Sequence, residues 1–213
     1  MRIDAVRNAE KLRVAAADLF QERGLQVPLK DIARRAGLSH GTLYNLFGTR
    51  EALIDEVMTD HAARHLQEIA QQAWSREDAW EGFAQYVEAI CELQVAEPAI
   101  ADVVSGRYPD ATRLMAVCAR TMEDAQRILA RAREAGALRP DFTNADLVFA
   151  FAANAVLARA TVEQAPDAWR RQIVFFLDGL KTAAASQTLS AQQPTEEDVR
   201  GALRALSEQI RAR

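Results

Sequence analysis

The sequence has few cysteines and no long apolar run, which argues against a secreted or membrane protein. Its two cysteines, Cys91 and Cys118, have no motif spacing, so we expect reduced thiols in a cytoplasmic protein rather than a disulfide. The longest strongly apolar run, residues 147–158, is interrupted by Asn154 and is too short to span a bilayer. Residues 1–13 contain no apolar stretch of the kind found in signal peptides. We therefore expect no membrane partner.

Motifs for catalysis are also missing. No G-x-S-x-G, P-loop or G-x-G-x-x-G pattern occurs, and His40, His61 and His65 are the only histidines. His61 and His65 are four residues apart and would share one face of a helix. No third ligand is recognisable beside them, however, and structural zinc sites generally use four protein ligands. The sequence thus predicts no enzyme, no cofactor and no metal site.

The charge is unevenly distributed along the chain. Residues 1–50 contain nine Lys+Arg and five Asp+Glu, a net charge of +4, whereas residues 51–213 contain seventeen and twenty-five, a net charge of −8. The two parts together give the overall net charge of −4. The positive charge of residues 1–50 indicates that this part of the chain, and not the acidic remainder, contacts a polyanion, although such an asymmetry also arises by chance.

Apolar spacing predicts helices along almost the whole chain. In the front part, three helical segments are separated by glycines, and small hydroxyl residues cap the third helix and a long fourth one. Further helices are expected at about 76–96, 98–104 and 110–135, from Thr143, from Pro166 or Asp167, and from Thr195. In the front part, the helix starts and ends are predicted from Gly24, Pro28, Gly37, Ser39, Gly48 and Thr49.

This pattern predicts an all-α fold, with a small three-helix bundle followed by a larger helical bundle. We expect a small domain at 1–50, a larger domain at 51–185, and a linker with an extra helix at 186–213. The last helix carries a capping box, Thr195 with Asp198, and an apolar seam. The seam consists of Val199, Leu203, Leu206 and Ile210.

The stretch AGLSHGTLYNLF, residues 36–47, is typical of a helix–turn–helix. Gly37 supplies the positive φ of a sharp turn, while Leu43, Leu46 and Phe47 share the face that anchors the second helix. The short polar side chains then face outward, where they can enter a major groove. The predicted DNA-binding residues are Lys30, Ser39, His40, Gly41, Thr42, Tyr44, Asn45 and Arg50. Arg2 and Arg7 are candidates for an arm before the first helix. An ordinary helical turn with a solvated face fits the spacing equally well.

Residues 12–57 resemble the DNA-binding domain of the TetR family of bacterial transcriptional regulators. The resemblance lies in AAADLFQERG, in IARRAGLSHGTLYNLF and in EALIDEV; Gly41-Thr42-Leu43-Tyr44 with Phe47 is its most specific part. The family usually has a lysine where this chain has Arg50, and arginine keeps the phosphate-binding charge. The resemblance implies that 1–50 is a DNA-binding domain and that 51–185 is a ligand-binding and dimerisation domain. It implies a homodimeric repressor that leaves a palindromic double-stranded DNA operator when a small-molecule effector binds.

The rear half resembles the family more weakly, in AREAGALRPDFTNADL and WRRQIVFFLDGL. The resemblance places a dimer interface at 147–158 and 173–180, and it places a group of aromatic, sulfur-containing and amide side chains where relatives line an effector cavity. Each of these is also an ordinary core residue by type, and Asn154 needs a partner either inside the chain or across the dimer. Arg107 and Tyr108 belong either to a gate of this cavity or to a surface loop. The predicted ligand-binding residues are Trp80, Phe83, Tyr86, Met115, Cys118, Met122, Phe151 and Asn154.

One alternative of a different class stays open at this point. An all-α module that senses a ligand or a protein partner without binding DNA would share the composition and the helical pattern. The helix at 195–212 is not universal in the family, and it either caps the ligand domain or extends the dimer contact.

Overall fold

The structure is a computed structural model that describes residues 2–104, 108, 110–184 and 194–211. Within these residues the chain forms α-helices, one short 3₁₀ helix at Thr182–Ala184 and an isolated bridge between Leu138 and Lys181. The all-α prediction is confirmed. The helices are α1 Arg2–Arg23, α2 Leu29–Arg35, α3 His40–Phe47, α4 Arg50–Trp74, α5 Ala79–Ala96, α6 Pro98–Val104, α7 Thr112–Glu134, α8 Asn144–Thr161, α9 Ala168–Leu180 and α10 Glu196–Arg211.

Capping side chains set the ends of the helices that the sequence analysis singled out. Ser39 accepts a hydrogen bond from the backbone N–H of Thr42, and Thr49 does the same for Ala52. Thr143 and Asp146 form a complete capping box at the start of α8. Each such bond satisfies a backbone N–H that has no partner within its own helix. Three predicted helix starts are therefore confirmed together with their physical cause.

Some predicted boundaries differ. α1 already begins at Arg2, so the predicted arm is wrong: Arg7 is an exposed residue inside a helix and lies 4.0 Å from Asp4. α5 begins at Ala79 instead of residue 76, because Asp78 caps it by accepting from the N–H of Glu81. Residues 186–193 of the predicted linker, Arg107, and the side chains of Leu206 and Ile210 lie outside the described residues.

The front bundle is built on α1, which packs against α2, α3, α4 and α6. Its centre consists of fully buried side chains, among them Phe20, Ile32, Leu43 and Leu53. Burial of this apolar surface is the main force that holds the short helices α2 and α3 in place, because isolated helices of their length are unstable in water.

In the rear bundle α5 is central and contacts α4, α6, α7, α8 and α9. Its Phe83, Tyr86 and Ile90 are buried at 0–1% exposure. α8 was expected to be buried on several sides, yet it leaves Val156 at 41% exposure. No helix among the described residues is long and apolar enough to cross a membrane.

Gly82 marks the closest approach of α5 to the end of α4. A Cβ atom at this position would lie 2.6 Å from the backbone carbonyl oxygen of Ala73, which cannot move away without moving α4. We expect Gly82→Ala to lower the free energy of unfolding by about 1–3 kcal/mol, as overpacking does elsewhere. Urea unfolding at a fixed protein concentration measures this loss.

Gly201→Ala is the matched control, because a Cβ there meets nothing within 4 Å and α10 tolerates alanine. That substitution should leave the stability unchanged or raise it by a few tenths of a kcal/mol. If both variants unfolded at the same urea concentration, the close contact between α4 and α5 would be wrong.

Candidate nucleic-acid interface and effector cavity

The turn between α2 and α3 is closed by backbone hydrogen bonds. The N–H of Leu38 donates to the carbonyl of Ala33 at 2.9 Å, and the N–H of Gly37 donates to that of Arg34 at 3.1 Å. Gly37 has a φ of +67°, a conformation that glycine adopts without the penalty of a side chain. Leu38 packs against the core below the turn. The predicted helix–turn–helix geometry is present.

α3 has one face on the bundle and one face in solvent. Leu43 is fully buried, and Leu46 and Phe47 pack against the same core from partly buried positions. The opposite face carries exposed side chains over two turns, which leaves them free to contact a ligand as large as a duplex. The exposed residues are Ser39, His40, Gly41, Tyr44 and Asn45.

Two of the outward polar groups already have partners within α3. The hydroxyl of Thr42 lies 2.9 Å from that of Ser39, whose oxygen also accepts from the Thr42 N–H. Ser39 therefore serves as the helix cap, and Thr42 is half-buried beside it. Tyr44 is 47% exposed, and its ring packs edge-on against His40 with centroids 4.8 Å apart. Tyr44 and Asn45 are the side chains best placed to reach beyond the surface.

Lys30 differs from the arginines around it. Arg35 pairs with Glu22 at 3.0 Å and Arg34 pairs with Asp31 at 3.1 Å. For Lys30, which is exposed at the start of α2, the described residues offer no acidic partner within 4.0 Å. It is thus a cation whose charge is available to a phosphate.

Arg50 stands at the start of α4 as expected, but its guanidinium already has partners within the chain. Its Nη1 donates to the backbone carbonyls of Leu25 at 2.9 Å and of Val27 at 2.7 Å, and the side chain is half-buried. A guanidinium held in this way joins the start of α4 to the loop between α1 and α2. Its first role is to position that loop, and a phosphate contact remains only for its other nitrogens.

The same loop is bonded from the other side by Asp102 of α6. The Oδ2 atom of Asp102 accepts from the N–H of Leu25 at 2.9 Å, and its Oδ1 accepts from Arg159 of α8 at 3.2 Å. Asp102 is only 2% exposed, so these bonds are needed to satisfy a buried carboxylate. Sequence reasoning missed this junction, since Leu25 and Asp102 are 77 residues apart and neither belongs to a motif.

A second fixed connection joins α4 to α7. Both carboxylate oxygens of Asp55 accept backbone N–H groups at the start of α7, from Leu114 at 3.0 Å and from Arg113 at 3.2 Å. The neighbouring Glu56 pairs with Arg13 of α1 at 2.9 Å. α4 is therefore attached to the front bundle and to the rear bundle within a single turn.

The rear bundle encloses a small apolar cavity of about 50 Å³ between α4, α5, α7 and α8. Four of the predicted ligand-binding residues line it, namely Tyr86, Cys118, Met122 and Phe151. The lining residues that the sequence did not indicate are Leu66, Ile90, Thr121, Ala125, Asn144, Leu147 and Val148.

A larger cleft of about 420 Å³ lies beside this cavity, between α7, α8 and α10. Met115, the fifth predicted residue, lines the cleft, and so do Val199 and Leu203 of α10. Cys118 and Met122 belong to both spaces, so these side chains form part of the wall between them. α10 therefore covers the cleft, which agrees with the interpretation that the last helix caps the ligand domain.

The other three predicted ligand-binding residues have structural partners instead. Trp80 packs against Phe83 and lies under the ammonium of Lys181, which is 5.5 Å from its ring centroid. Phe83 is fully buried and meets the edge of Phe142. These two aromatics pack near the contact between α5 and α9 and line neither of the two spaces, so their role in ligand binding stays a prediction.

Asn154 lines neither space and is buried at 1% exposure. Its Nδ2 donates to Oε1 of Gln94 on α5 at 2.9 Å, and Nε2 of Gln94 donates to the carbonyl of Phe151 at 3.2 Å. The Nδ2 atom of Asn154 therefore has its partner inside the chain, whereas its buried Oδ1 atom has no donor among the described residues, and a partner across a dimer stays a prediction for that atom. Tyr108 is 3% exposed and belongs to the core, which excludes the surface-loop interpretation for that residue.

One corner of the cavity is polar. The Oδ1 atom of Asn144 is buried and finds no donor among the described residues, while its Nδ2 contacts the sulfur of Met122 at 2.8 Å. The hydroxyl of Tyr86 donates to the carbonyl of Thr121 over a long 3.4 Å. Buried acceptors usually have partners, so Asn144 is prepared for a donor that a bound molecule would bring.

Burial also keeps the cavity uncharged. It raises the pKa of the Cys118 thiol to about 11 and moves the pKa of the Tyr86 hydroxyl well above its ordinary value. Both groups are consequently neutral at physiological pH. The cavity fits an apolar molecule with a hydrogen-bond donor better than it fits an ion.

Comparison with known proteins agrees with this geometry. Residues 12–57 match the family model described as "Bacterial regulatory proteins, tetR family", and residues 78–182 match that of the C-terminal domain of "Transcriptional regulator SbtR-like". The chain is 32% identical over 155 residues to the HTH-type transcriptional repressor KstR2 of Mycolicibacterium smegmatis, which covers 69% of this chain and 74% of that protein. The chain belongs to the TetR family.

Other curated relatives of this TetR-family chain match only its front part. The matches to YvdT of Bacillus subtilis and to KstR2 of Rhodococcus jostii cover 37% and 26% of those proteins, at 32% and 43% identity. These relatives support the helix–turn–helix and say little about the rear bundle. As a member of this family the chain is a transcriptional regulator. The alternative, a sensing module without DNA binding, is not favoured.

Solved TetR-family structures share the fold. The structure of RolR in complex with resorcinol covers 91% of this chain and 100% of that chain with a TM-score of 0.56 at 19% identity. The ketosteroid transcriptional regulator KstR2 of Mycobacterium tuberculosis covers 81% and 94%, with a TM-score of 0.53 at 21% identity. At such low identity the likeness concerns the fold alone.

Proposed function

We propose that this chain is a repressor that binds a palindromic DNA operator as a homodimer and releases it when a small molecule enters the rear bundle. The observation that carries the proposal is the outward face of α3, whose polar side chains project from a helix anchored by Leu43. A helix presented in this way fits the major groove of B-form DNA. The 32% identity to a named repressor supports the direction of regulation.

In this proposal the exposed residues divide the work between bases and phosphates. Asn45 reads a base edge, Tyr44 donates its hydroxyl to a phosphate, and Gly41 lets the backbone approach the duplex. Lys30 contributes a phosphate contact at the start of α2. Arg50 acts mainly through the loop at Leu25, whose position sets the angle of the front bundle.

We also propose the division into a DNA-binding part at 1–50, a ligand-binding and dimerisation part at 51–185, and a linker with the last helix at 186–213. The dimer contact would be formed by α8 and α9. Large apolar side chains are exposed on both helices: Val156 at 41%, Val174 at 49% and Phe175 at 62%. Soluble monomers seldom expose several such side chains on neighbouring elements, whereas homodimer interfaces are rich in them.

Replacing Val174 and Phe175 together by serine should dissociate the dimer, because apolar area at the centre of its interface is lost. Sedimentation should give about 47 kDa for the wild-type chain, twice the 23.6 kDa of one protomer, and close to the monomer mass for the variant at micromolar concentration. Val14→Ser, at a 53% exposed position of α1, is the control and should remain dimeric. A monomeric wild-type protein would refute this part of the proposal.

The effector that fits the cavity is mostly apolar and carries at least one hydrogen-bond donor. The donor would bond to Oδ1 of Asn144, and the apolar part would lie against Tyr86, Phe151 and Leu147. A space of about 50 Å³ holds only a few atoms, so a larger effector has to displace Met122 and open the way to the 420 Å³ cleft. Methionine suits this task because its side chain is flexible.

Such a displacement is connected to the front bundle by the bonds described above. Movement of α7 acts on α4 through Asp55, and movement of α8 acts on the loop at Leu25 through Arg159 and Asp102. The effector releases DNA to the extent that it binds the two arrangements with different affinity.

Selection from a random DNA library, followed by an electrophoretic shift assay, tests the proposal. The expected result is a palindrome whose half-sites lie about one helical turn apart, ~34 Å. Enrichment of no sequence would refute the repressor proposal and would favour the module that does not bind DNA.

A further inference from the structure

Glu97 lies between the two histidines that share a face of α4. Its Oε2 atom is 2.6 Å from Nε2 of His61, and its Oε1 atom is 3.3 Å from Nδ1 of His65. The two imidazole rings stand side by side with centroids 4.4 Å apart. The fold thus supplies the third ligand that the sequence does not reveal, because Glu97 is 36 residues away from His61.

We propose that His61, His65 and Glu97 form a binding site for a first-row divalent metal ion of the zinc type. Two imidazoles and one carboxylate are the ligands that such ions prefer, and three protein ligands leave a position for water. The candidate ligand atoms all lie within 4.8 Å of one another. A tetrahedral zinc site needs separations of about 3.4 Å, so binding requires small rotations of these side chains.

The exposure of the three side chains suits an exchangeable ion. They are 24%, 32% and 17% exposed, so the site is neither closed from solvent nor freely hydrated. A metal can enter and leave without unfolding of the chain. Because the ligands are already partly buried, they lose little conformational entropy when the metal binds.

The site also lies at a junction between helices. Glu97 is the C-cap of α5, and its carbonyl accepts the N–H groups of Ile100 and Ala101 at 2.9 and 3.1 Å at the start of α6. An ion held by Glu97 and the two histidines would therefore clamp α4 to the turn between α5 and α6. The next residue along this path is Asp102, which bonds the loop of the front bundle.

A metal at this point would change the affinity for DNA, a consequence that rests on the proposed function of the chain. Because α6 carries Asp102, any shift of the α5–α6 turn reaches the N–H of Leu25. The binding of the metal and its effect on DNA are separate measurements, so the failure of one is distinguishable from the failure of the other.

The test is calorimetric titration of ZnCl₂ into the full-length, chelator-treated protein in a buffer that does not bind zinc. The expected result is one zinc ion per protomer, with a site that also takes Co²⁺ and gives the visible absorption of a nitrogen- and oxygen-ligated ion. The variant H61Q/H65Q should lose this binding, and Glu97→Gln should weaken it by about 100-fold, since even partners outside the ligand set are worth 10–100-fold.

Two control variants separate the site from other metal contacts. His40→Gln, which removes the exposed histidine of α3, should keep full zinc binding, and Glu68→Gln should do the same for an exposed carboxylate of α4. No saturable binding by the wild-type chain would overturn the proposal, whatever the variants do. Equal binding by wild type and Glu97→Gln would also overturn it.

The effect on DNA is read from operator affinity with and without saturating zinc. A change of fivefold or more that disappears in Glu97→Gln and persists in Glu68→Gln would establish the coupling. Zinc binding without any change in operator affinity would keep the site and refute its regulatory role. Failure of the zinc-free protein to select an operator would contradict the repressor function and leave the metal titration unaffected.

Discussion

Replacing Tyr44 and Asn45 together by alanine should weaken binding to the selected operator by about 100-fold or more. Both side chains are exposed on the outward face of α3, so the substitutions remove contacts with DNA and little packing within the chain. A good base contact is worth about 1–3 kcal/mol, and a hydrogen bond to a charged group about 1.5–3 kcal/mol. Their sum, about 2.5–6 kcal/mol, corresponds to a factor of roughly 60 at the lower end and more than 10,000 at the upper end, so a loss near 100-fold is a conservative expectation. Fluorescence anisotropy at fixed salt measures it.

The matched control is Gln72→Ala, an exposed position near the end of α4 and far along the chain from α3. It should bind the operator like the wild type. The thermal midpoint of the double variant should stay near that of the wild type, which shows that binding is lost for a local reason. A loss of less than about threefold would mean that α3 does not face the DNA.

Arg50 is deliberately left out of this variant. Because its guanidinium holds the carbonyls of Leu25 and Val27, its removal would disturb the fold of the front bundle. A weaker affinity after Arg50→Ala would not distinguish a lost phosphate contact from a displaced loop. The exposed α3 positions avoid that ambiguity.

Asp102→Ala should destabilise the protein by about 3 kcal/mol and release the loop between α1 and α2 from its hydrogen bond to α6. Removing one partner of a buried charge pair leaves the other groups unsatisfied, which costs about 3–5 kcal/mol in fully buried pairs. Arg159 is 38% exposed and can turn to solvent, so the lower end applies. For a chain of this size the thermal midpoint should fall by about 6–12 °C.

Hydrogen exchange at the Leu25 amide gives the specific readout for this variant. That N–H donates to Asp102 in the wild type and should lose its protection in Asp102→Ala, while amides in the middle of α5 keep theirs. Asp60→Ala, at an 89% exposed carboxylate of α4, is the control and should change neither property. Unchanged protection of Leu25 in Asp102→Ala would show that the junction is not held by this carboxylate.

The local signals in the sequence were sufficient for the helices. The caps at Ser39, Thr49 and Thr143 accept from N–H groups only three residues further along the chain, and the glycine turns also involve only a few neighbouring residues. Such short-range patterns can be recognised in the sequence alone. The outward face of α3 follows from the same local periodicity. The predicted arm before α1 is wrong because the apolar residues there, such as Ile3 and Val6, are exposed and do not continue the buried face that begins at Leu12.

The parts that sequence reasoning missed depend on contacts between distant residues. Glu97 meets His61, Asp102 meets Leu25, and no spacing rule connects either pair. Residue type identified Tyr86 and Met122 as interior residues, and both line the cavity. Residue type alone could not show which of the aromatic side chains line the cavity and which are packed in the core. That choice is made by the packing of α5 against its neighbours.

Asn144 and Asn154 show the same limit. Both are amides on one apolar helix, and the sequence favours Asn154 as a ligand-binding residue because an amide inside so apolar a helix needs a partner. In the structure Nδ2 of Asn154 donates to Gln94, and the Oδ1 atoms of both Asn154 and Asn144 are buried without a donor among the described residues. Only Asn144 lines the cavity. A helix of near-uniform hydrophobicity gives no periodicity from which the direction of each side chain could be predicted.

The central claim is that α3 reads duplex DNA, and the salt dependence of binding to the selected palindrome and to a shuffled duplex tests it most directly. We predict that the palindrome binds at least about 1,000-fold more tightly and that log K falls with log [salt] with a slope of about −6 or steeper, as expected when several phosphates are neutralised. Equal affinity for the two duplexes, or an affinity independent of salt, would contradict the claim.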